Sequence, residues 1–290
     1  MDRKAVARET LEIMKQGYYD LPWKTFPKPS DNSGRSIDIK EDMERSLEAS
    51  FLITPAQGQE LLKQYEERER IPCTPEEVRR KTTLENLATV AAVRRLKEEG
   101  KSSIGVLNFA SAKNPGGGFL NGAMAQEESL AASGTLYRAL TRHEEYYRAN
   151  RAQSSMMYTD YGIYAPDVIF FRDETFRLVE TPVKASVLTL PAVNMGQVIM
   201  KGEDSSEAEA VMKRRMKLAL CLFARQGAKH LVLGAYGCGV FRNDPYKVAR
   251  WWQELLLEGL GHSFDTVFYA VLDRSRNQQC IRAFQEIIRG

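Results

Sequence analysis

Short apolar runs that alternate with helical stretches after residue 100 constrain the fold of this chain more than any other feature. Four runs of β-branched, aliphatic and aromatic residues have the composition of buried strands, at 103–109, 185–193, 230–235 and 266–272. Amphipathic patterns predict helices over 126–143, 207–226, 245–258 and 278–289. Strands that alternate with helices predict an α/β layered fold whose central sheet is largely parallel or mixed.

The first hundred residues show a different pattern, of helices joined by irregular loops. Apolar spacing predicts a helix over 5–16, followed by a broken Pro-rich segment over 21–34. Thr82 stands three residues before Glu85, a capping-box pattern that predicts a helix start ahead of Leu87 and a stop at Gly100. We therefore expect a helical N-terminal extension over 1–80, packed on an α/β core over 81–290.

Composition and charge exclude several classes of protein. The 290 residues are 43% hydrophobic and 27% charged, which is typical of a globular protein and not of a disordered or collagen-like chain. A formal net charge of +3 gives no bulk attraction for nucleic acid, so we expect no sequence-specific nucleic-acid partner and only local anion sites. The sequence has no membrane-spanning apolar run and no secretory signal, so we expect a soluble, cytoplasmic protein without a membrane partner.

The cysteines and histidines do not form a metal-binding pattern. The four cysteines are scattered, with no CxxC pair and no Cys/His spacing of a zinc site, and there are only three histidines. We therefore expect reduced thiols and no metal ion.

A glycine-rich segment directly after the first predicted strand of the core is the most informative part of the sequence. That strand runs into a loop that contains Gly116, Gly117 and Gly118. Glycines remove Cβ atoms from the path of a ligand and permit positive φ, so that successive backbone N–H groups can point at one anion. The N-terminus of the next helix would add positive potential. A merely flexible connection is the alternative interpretation.

Three polar residues follow at the start of that helix. Seven residues separate Gly118 from Gln126, Glu127 and Glu128. Acidic residues stabilise a helix N-terminus, and this ordinary explanation suffices for one glutamate. Two adjacent carboxylates beside a predicted anion-binding loop are not required by packing, so they are candidate catalytic residues.

The GGG-x7-QEE pattern, preceded by Asn108-Phe109-Ala110, closely resembles the signature of the poly(ADP-ribose) glycohydrolases. The sequence around it is similar to the microbial type of this family, as are residues 7–14 and 82–85. A second block, GAYGCGVF at 234–241 followed by RNDP, is similar to the family's second diphosphate-binding loop. One position departs from many ADP-ribose-binding macrodomains, because Ser111 stands where they have a second Asn.

The resemblance implies a macrodomain-like three-layer α/β fold with a mixed central sheet, plus the N-terminal helical extension. It implies that poly(ADP-ribose) or ADP-ribosylated protein is the substrate, that ADP-ribose is the product, and that the enzyme acts in the DNA damage response. No cofactor is implied, since backbone N–H groups of the two glycine loops can hold the diphosphate. The implied substrate-binding residues are Asn108, Ser111, Gly116, Gly117, Gly118, Gln126, Gly237, Cys238, Gly239, Val240 and Phe241.

The implied reaction needs a proton for the leaving ribosyl oxygen and, later, an activated water. Most glycosidases place two carboxyls on opposite sides of the bond, but Glu127 and Glu128 are helix neighbours that stem from one side of the substrate. One carboxyl is therefore expected to work twice, as acid and then as base. The resemblance assigns that role to Glu128, assigns the orientation of ribose hydroxyls to Glu127 with Gln126 as a neutral helper, and implies cleavage from chain ends.

Two alternatives stay open and a third is disfavoured. A macrodomain that binds ADP-ribose without cleaving it would use the same loops, although it needs no pair of carboxylates. A hydrolase of mono-ADP-ribose on protein side chains would use the same pocket. A Rossmann-type dehydrogenase is disfavoured because it requires GxGxxG with an acidic residue about 20 positions further on.

Overall fold

The structure, a computed structural model, describes residues 2–21, 35–69 and 71–289. The strands in this part of the chain are β1 (Tyr18–Asp20), β2 (Ser36–Asp38), β3 (Phe51–Ile53), β4 (Thr82–Glu85), β5 (Ile104–Ala110), β6 (Gly162–Arg172), β7 (Leu178–Pro191), β8 (His230–Leu233) and β9 (Thr266–Ala270). The helices are α1 (Arg3–Gln16), α2 (Lys40–Glu48), α3 (Pro55–Glu67), α4 (Pro75–Lys81), α5 (Thr89–Glu98), α6 (Gln126–Ser133), α7 (Leu136–Thr141), α8 (Glu144–Ala152), α9 (Met195–Lys201), α10 (Ser205–Arg225), α11 (Pro245–Leu257) and α12 (Gln279–Arg289). Of the helices in these ranges, none is long and apolar enough to cross a membrane. The predicted Pro-rich segment lies, apart from Leu21, outside the described residues.

Most of the described strands form one mixed sheet, in the order β3-β6-β7-β5-β8-β9-β4. The pairs from β7 through β5, β8 and β9 to β4 are parallel, whereas β6 pairs antiparallel with both β3 and β7. Strands β1 and β2 form a separate antiparallel pair. The predicted α/β fold with a mixed central sheet is confirmed.

Alternate residues of the central strands enter two hydrophobic clusters. Leu107 of β5, Leu188 of β7 and Leu231 of β8 belong to one cluster, which includes α10 and α11. Val106 and Val187, which directly precede Leu107 and Leu188, belong to the other cluster, which includes α1, α2 and α5. Since successive side chains of a strand point to opposite faces of a sheet, helices cover both faces. The result is a three-layer α/β architecture, which agrees with the macrodomain-like fold that the resemblance implies.

The helix predicted over 126–143 is wrong, because the chain breaks at Gly134 into α6 and α7. Gly134 forms a bridge with Phe170 of β6, and a Cβ at this position would collide with the carbonyl oxygen of Ile169. The N–H of Thr135 donates to the same Ile169 oxygen at 3.0 Å. The contact with β6 therefore interrupts the helix for two residues, Gly134 and Thr135. The other predicted core helices are present as α10, α11 and α12, and the four predicted core strands as β5, β7, β8 and β9.

The capping box predicted at Thr82 and Glu85 is also wrong. These residues form β4, an edge strand parallel to β9, in which Leu84 is the register partner of Tyr269. Two consecutive threonines are β-branched and favour a strand. The helix that follows begins only at Thr89.

The N-terminal residues contact the rest of the chain through several elements. Helix α1 begins behind Asp2, whose carboxylate accepts hydrogen bonds from the N–H groups of Lys4 and Ala5. The hydroxyl of Thr10 on α1 donates to the carbonyl of Ala132 on α6 at 2.8 Å. Strand β3 extends the central sheet beside β6, and α3 packs on α10. The division at residue 80 stays a prediction.

Candidate active site

Two glycine loops follow the carboxyl-terminal ends of two neighbouring parallel strands in the middle of the sheet. Residues 111–118 follow β5 and residues 234–243 follow β8, which pairs with β5. Their bases touch, since the rings of Phe109 and Tyr236 have centroids 5.6 Å apart. Gly116, Gly117 and Gly237 have φ of 65°, 59° and 72°, the left-handed conformation that favours glycine. The structure therefore brings together the two loops that the sequence singles out.

The two glutamates converge on Gly117 from the first turn of α6. A Cβ added to Gly117 would collide with the carboxylate of Glu128 and would lie 3.3 Å from Oε2 of Glu127. Both carboxyls therefore reach the same glycine of the first loop. They lie against backbone that is expected to hold an anion, and only glycine leaves room for them there.

Glu127 is almost fully buried, with 3% of its surface exposed. Its Oε2 accepts the N–H of Ser111 at 2.7 Å, and its Oε1 accepts the amide of Asn108 at 3.2 Å. Burial raises the pKa of Glu127 from 4.5 to about 8 against these hydrogen bonds, and the charge of Glu128 acts in the same direction as burial. The Glu127 carboxyl therefore holds a proton at neutral pH.

An aromatic pair outside the predicted site residues lies near Glu127, at two positions where the sequence leaves open whether the rings line a cleft or pack. Tyr146 and Tyr147 of α8 are buried, with ring centroids 4.7 Å apart. The Tyr146 hydroxyl donates to the carbonyl of Ser111 at 3.4 Å. Burial raises the pKa of both phenols, and Glu127 acts in the same direction once it is ionised at higher pH. The Tyr146 hydroxyl therefore contacts Ser111, the same residue that donates its N–H to Glu127.

Glu128 is half-buried and binds two backbone groups. Its Oε1 accepts the N–H of Gly118 at 3.0 Å, and its Oε2 accepts the N–H of Ala125 at 2.9 Å. The second contact satisfies a free N–H at the start of α6. Each carboxylate oxygen has two lone pairs, so Glu128 can bind these groups and a ligand at the same time.

Gln126 joins α6 to the end of β5. Its Oε1 accepts the N–H of Phe109 at 2.8 Å, and its Nε2 donates to the carbonyl of Leu107 at 2.8 Å and to the hydroxyl of Thr89 at 3.3 Å. These contacts fix the first turn of α6 against the sheet. The direct contact of Gln126 with substrate stays a prediction.

Asn108 is fully buried and has one acceptor without a partner. Its Nδ2 donates to Glu127 and to the hydroxyl of Thr189, each at 3.2 Å, whereas its Oδ1 has no hydrogen-bond partner among the described residues. A buried acceptor without a donor destabilises the protein, and a hydrogen bond from a ligand hydroxyl would remove this cost. Ser111, by contrast, uses its hydroxyl to accept the N–H groups of Lys113 and Asn114, so it shapes the first loop.

The second glycine loop is held by Asn243, which was not predicted as a site residue. Its Nδ2 donates to the carbonyls of Val193 at 2.8 Å and Gly237 at 3.1 Å. A Cβ on Gly237 would lie only 2.6 Å from this amide nitrogen. Further along, Gly239 has open space around it and Val240 is 83% exposed. The base of the loop is therefore fixed, while its tip faces solvent.

Cys238 lies in this loop but is not prepared as a nucleophile. Burial raises the pKa of its thiol well above the usual value, and Cys280 and Asp244 act in the same direction. The thiolate is the reactive form of cysteine, so a raised pKa disfavours attack. Phe241 is half-buried against the core, and its ring neighbours Tyr158 with centroids 6.1 Å apart.

These groups form a site for an anion beside two carboxyls. The glycine loops can present backbone N–H groups to a diphosphate. A neutral carboxyl at Glu127 can both donate and accept hydrogen bonds, and Glu128 can exchange a proton with a bound ligand. Within the described ranges, no group of three or more His, Cys, Asp or Glu side chains could hold a metal ion.

Known proteins are similar to this chain in sequence and in fold. The family described as microbial-type PARG (poly(ADP-ribose) glycohydrolase), catalytic domain, matches residues 7–173. The crystal structure of PARG from Thermomonospora curvata is 35% identical, over 98% of this chain and 98% of that chain, with a TM-score of 0.87. The structure of PARG from that organism bound to the inhibitor ADP-HPD is also 35% identical, over 98% of each chain, with a TM-score of 0.86.

A second organism supplies a further similar structure. PARG from Deinococcus radiodurans in complex with ADP-ribose is 40% identical, over 85% of this chain and 96% of that chain, with a TM-score of 0.74. No curated protein sequence matches the chain.

Proposed function

The chain belongs to the microbial-type poly(ADP-ribose) glycohydrolase family, and from this premise we propose that it hydrolyses the ribose–ribose O-glycosidic bonds of poly(ADP-ribose) and releases ADP-ribose. It is an O-glycosyl hydrolase by that membership. The observation that carries the proposal is the convergence of Glu127 and Glu128 on Gly117, beside the first glycine loop. A protein that only binds ADP-ribose needs the loops but not this pair of carboxyls.

Substrate binding is assigned to the two loops. The diphosphate would lie between residues 116–118 and 237–240, held by backbone N–H groups. Two relatives support this ligand chemistry, since the D. radiodurans enzyme binds ADP-ribose and the T. curvata enzyme binds ADP-HPD in their crystal structures. Asn108 Oδ1, buried and without a partner in the described chain, would accept a hydrogen bond from a ribose hydroxyl.

Glu128 is assigned the proton transfers. It donates a proton to the leaving ribosyl oxygen as the bond from that oxygen to the anomeric carbon breaks. It then takes a proton from the water that adds to the same carbon, so that it ends the cycle protonated as it began. Its half-buried position, beside Gly118, supports this role, because a group that meets water in the second step cannot be sealed in the core.

Glu127 is assigned the orientation of the sugar. At neutral pH its carboxyl is protonated, because burial raises its pKa to about 8. A neutral carboxyl can donate to one ribose hydroxyl and accept from another, which a carboxylate cannot do. Its contacts with Ser111 and Asn108 fix the group in place before substrate binds.

We also propose that the enzyme removes ADP-ribose from chain ends, as its resemblance to the microbial type implies. Labelled poly(ADP-ribose) digested for increasing times and separated by length tests this together with the activity. Free ADP-ribose should appear from the first time point, while intermediate oligomers shorten gradually. Early accumulation of short oligomers without ADP-ribose would contradict trimming from the end.

Two further substrates separate the proposal from its alternatives. A mono-ADP-ribosylated protein should release little ADP-ribose under conditions that consume the polymer, and calorimetry should detect binding of free ADP-ribose. Binding without cleavage of either substrate would identify an ADP-ribose-binding module instead. Release from the mono-ADP-ribosylated protein alone would identify a hydrolase of that linkage.

A further inference from the structure

Tyr158 stands in a backbone conformation that is unfavourable for its side chain. Its φ is 59°, in the left-handed region that non-glycine residues rarely adopt. Tyr158 is half-buried, and its hydroxyl has no hydrogen-bond partner within the described ranges. Such strain persists only when neighbouring contacts impose it, and it is concentrated at ligand-binding sites.

The residues on both sides of Tyr158 impose this conformation. The carbonyl of Met157 accepts a hydrogen bond from Arg215 at 2.9 Å, and both the N–H and the hydroxyl of Thr159 donate to Asn150 at 2.9 Å. Arg215 and Asn150 are themselves buried. The backbone is therefore fixed before and after Tyr158, while its ring is left half-exposed.

An ion pair strengthens this arrangement. Asp160 accepts Nε of Arg215 at 2.9 Å and Nη2 of Arg214 at 2.6 Å. Asp160 and Arg215 are 9% and 1% exposed, so their pairing is shielded from water. Removing either partner would leave a buried charge, which explains why the segment holds its shape despite the strain at Tyr158.

The segment that carries Tyr158 connects the two glycine loops. At one end, Arg151 donates to the carbonyl of Lys113 in the first loop at 2.7 Å. At the other end, the ring of Tyr158 neighbours the ring of Phe241 at the end of the second loop, with centroids 6.1 Å apart and planes inclined by 44°. Residues 151–158 therefore close one side of the space between the loops.

We propose that Tyr158 is a further substrate-binding residue, which forms with Phe241 an aromatic wall that packs on a ribose ring of the bound ADP-ribose unit. This rests on the proposed function for the identity of the ligand. A tyrosine ring offers an apolar face to the sugar and a hydroxyl to its polar groups. The strain at Tyr158 is then the cost of aiming that ring into the cleft.

The variant Tyr158→Gly tests the proposal. If the ring binds substrate, its loss weakens binding and does not lower stability; if the ring only packs, its loss lowers stability and leaves binding unchanged. Glycine removes both the ring and the strain, so the melting temperature should stay level or rise by about 2 °C. The KM for poly(ADP-ribose) and the Kd for ADP-ribose should each rise about tenfold, with kcat changed less than about threefold. Tyr158→Phe keeps the ring and should retain a KM within about threefold of the wild-type value.

Ser103→Gly is the matched control. Ser103 also has positive φ, 52°, but it precedes β5 at the opposite end of the strand from the glycine loop. It should gain thermal stability in the same way without a change in KM or Kd. Tyr158→Asn, whose side chain tolerates the left-handed region, is the second variant if the glycine variant does not fold.

Two results would overturn the assignment of Tyr158. One is a KM and Kd of the glycine or asparagine variant within about twofold of the wild-type values. The other is a fall of several degrees in melting temperature, which would make the ring a packing element. If the wild-type enzyme does not cleave the polymer, the proposed function fails, and the Kd for ADP-ribose alone still decides the role of Tyr158.

Discussion

Replacement of Glu127 by Gln should change how the stability of the protein depends on pH. Gln has nearly the same shape as the protonated carboxyl but never ionises. It can still accept a hydrogen bond from the N–H of Ser111 through its amide oxygen. The variant therefore isolates the cost of ionising a buried carboxyl from the other contacts of this side chain.

The expected magnitude follows from the pKa of Glu127, which burial raises from 4.5 to about 8 in the folded protein. Because the folded state binds this proton more tightly than the unfolded state, the stabilisation is fully present below about pH 4.5 and is lost as pH rises through about 8. At about 1.4 kcal/mol per pKa unit, the protonated Glu127 carboxyl contributes about 5 kcal/mol more to the free energy of unfolding at low pH than at high pH. Of this, about 3–4 kcal/mol disappears between about pH 5 and pH 8.

Urea unfolding at several pH values from about 5 to 8 measures this effect. The free energy of unfolding of the wild-type protein should fall relative to that of Glu127→Gln by about 3–4 kcal/mol across this range. Glu258→Gln, at an exposed carboxylate after α11, is the control. Its free energy of unfolding should change with pH in the same way as that of the wild type. Parallel curves for Glu127→Gln and the wild type would refute the assignment of a neutral Glu127.

Two further substitutions test the glycine loops. Gly117→Ala should lower kcat/KM by about 100-fold or more in a steady-state assay, since its Cβ would collide with the Glu128 carboxylate. The control is Gly100→Ala, at a positive φ with open space around it, which should lower stability but not activity. Equal activities of these two variants would contradict the prediction. Asn243→Ala should lower the free energy of unfolding by about 1–3 kcal/mol and weaken ADP-ribose binding in calorimetry, because the carbonyl of Gly237 loses a buried donor. An unchanged affinity would mean that the second loop does not depend on this contact.

The features predicted correctly from the sequence are those that lie in short stretches of chain. The strands β5, β8 and β9 are nearly continuous apolar runs because both of their faces are buried under helices. The GGG and QEE motifs are separated by one short connection, so their proximity in space follows from their proximity in sequence. The convergence of Glu127 and Glu128 on Gly117 is a consequence of that spacing.

The elements that were missed depend on partners that lie far away in the sequence. Strand β6 contains Pro166 and a shift of register between Ala165 and Val168, so it lacks the uninterrupted pattern of a central strand. Gly134 ends α6 only because β6 passes beside it.

The neutral state of the Glu127 carboxyl was not predicted, for the same reason. The N-terminal position of Glu127 on α6 would by itself favour the carboxylate. Burial has the larger effect, and it depends on the fold around α6. Asn243 likewise contacts Val193 and Gly237 only after folding, as the ring of Tyr158 does that of Phe241.

The measurement that tests the proposed function most directly is the release of ADP-ribose from labelled poly(ADP-ribose) by the wild-type protein and by Glu128→Gln. The wild type should degrade the polymer, and Glu128→Gln should bind ADP-ribose with a similar affinity while losing at least about 100-fold in kcat. Glu258→Gln should match the wild type in both assays. Full activity of Glu128→Gln, or an intact polymer after incubation with the wild-type protein, would contradict the role given to this carboxyl and to the site around it.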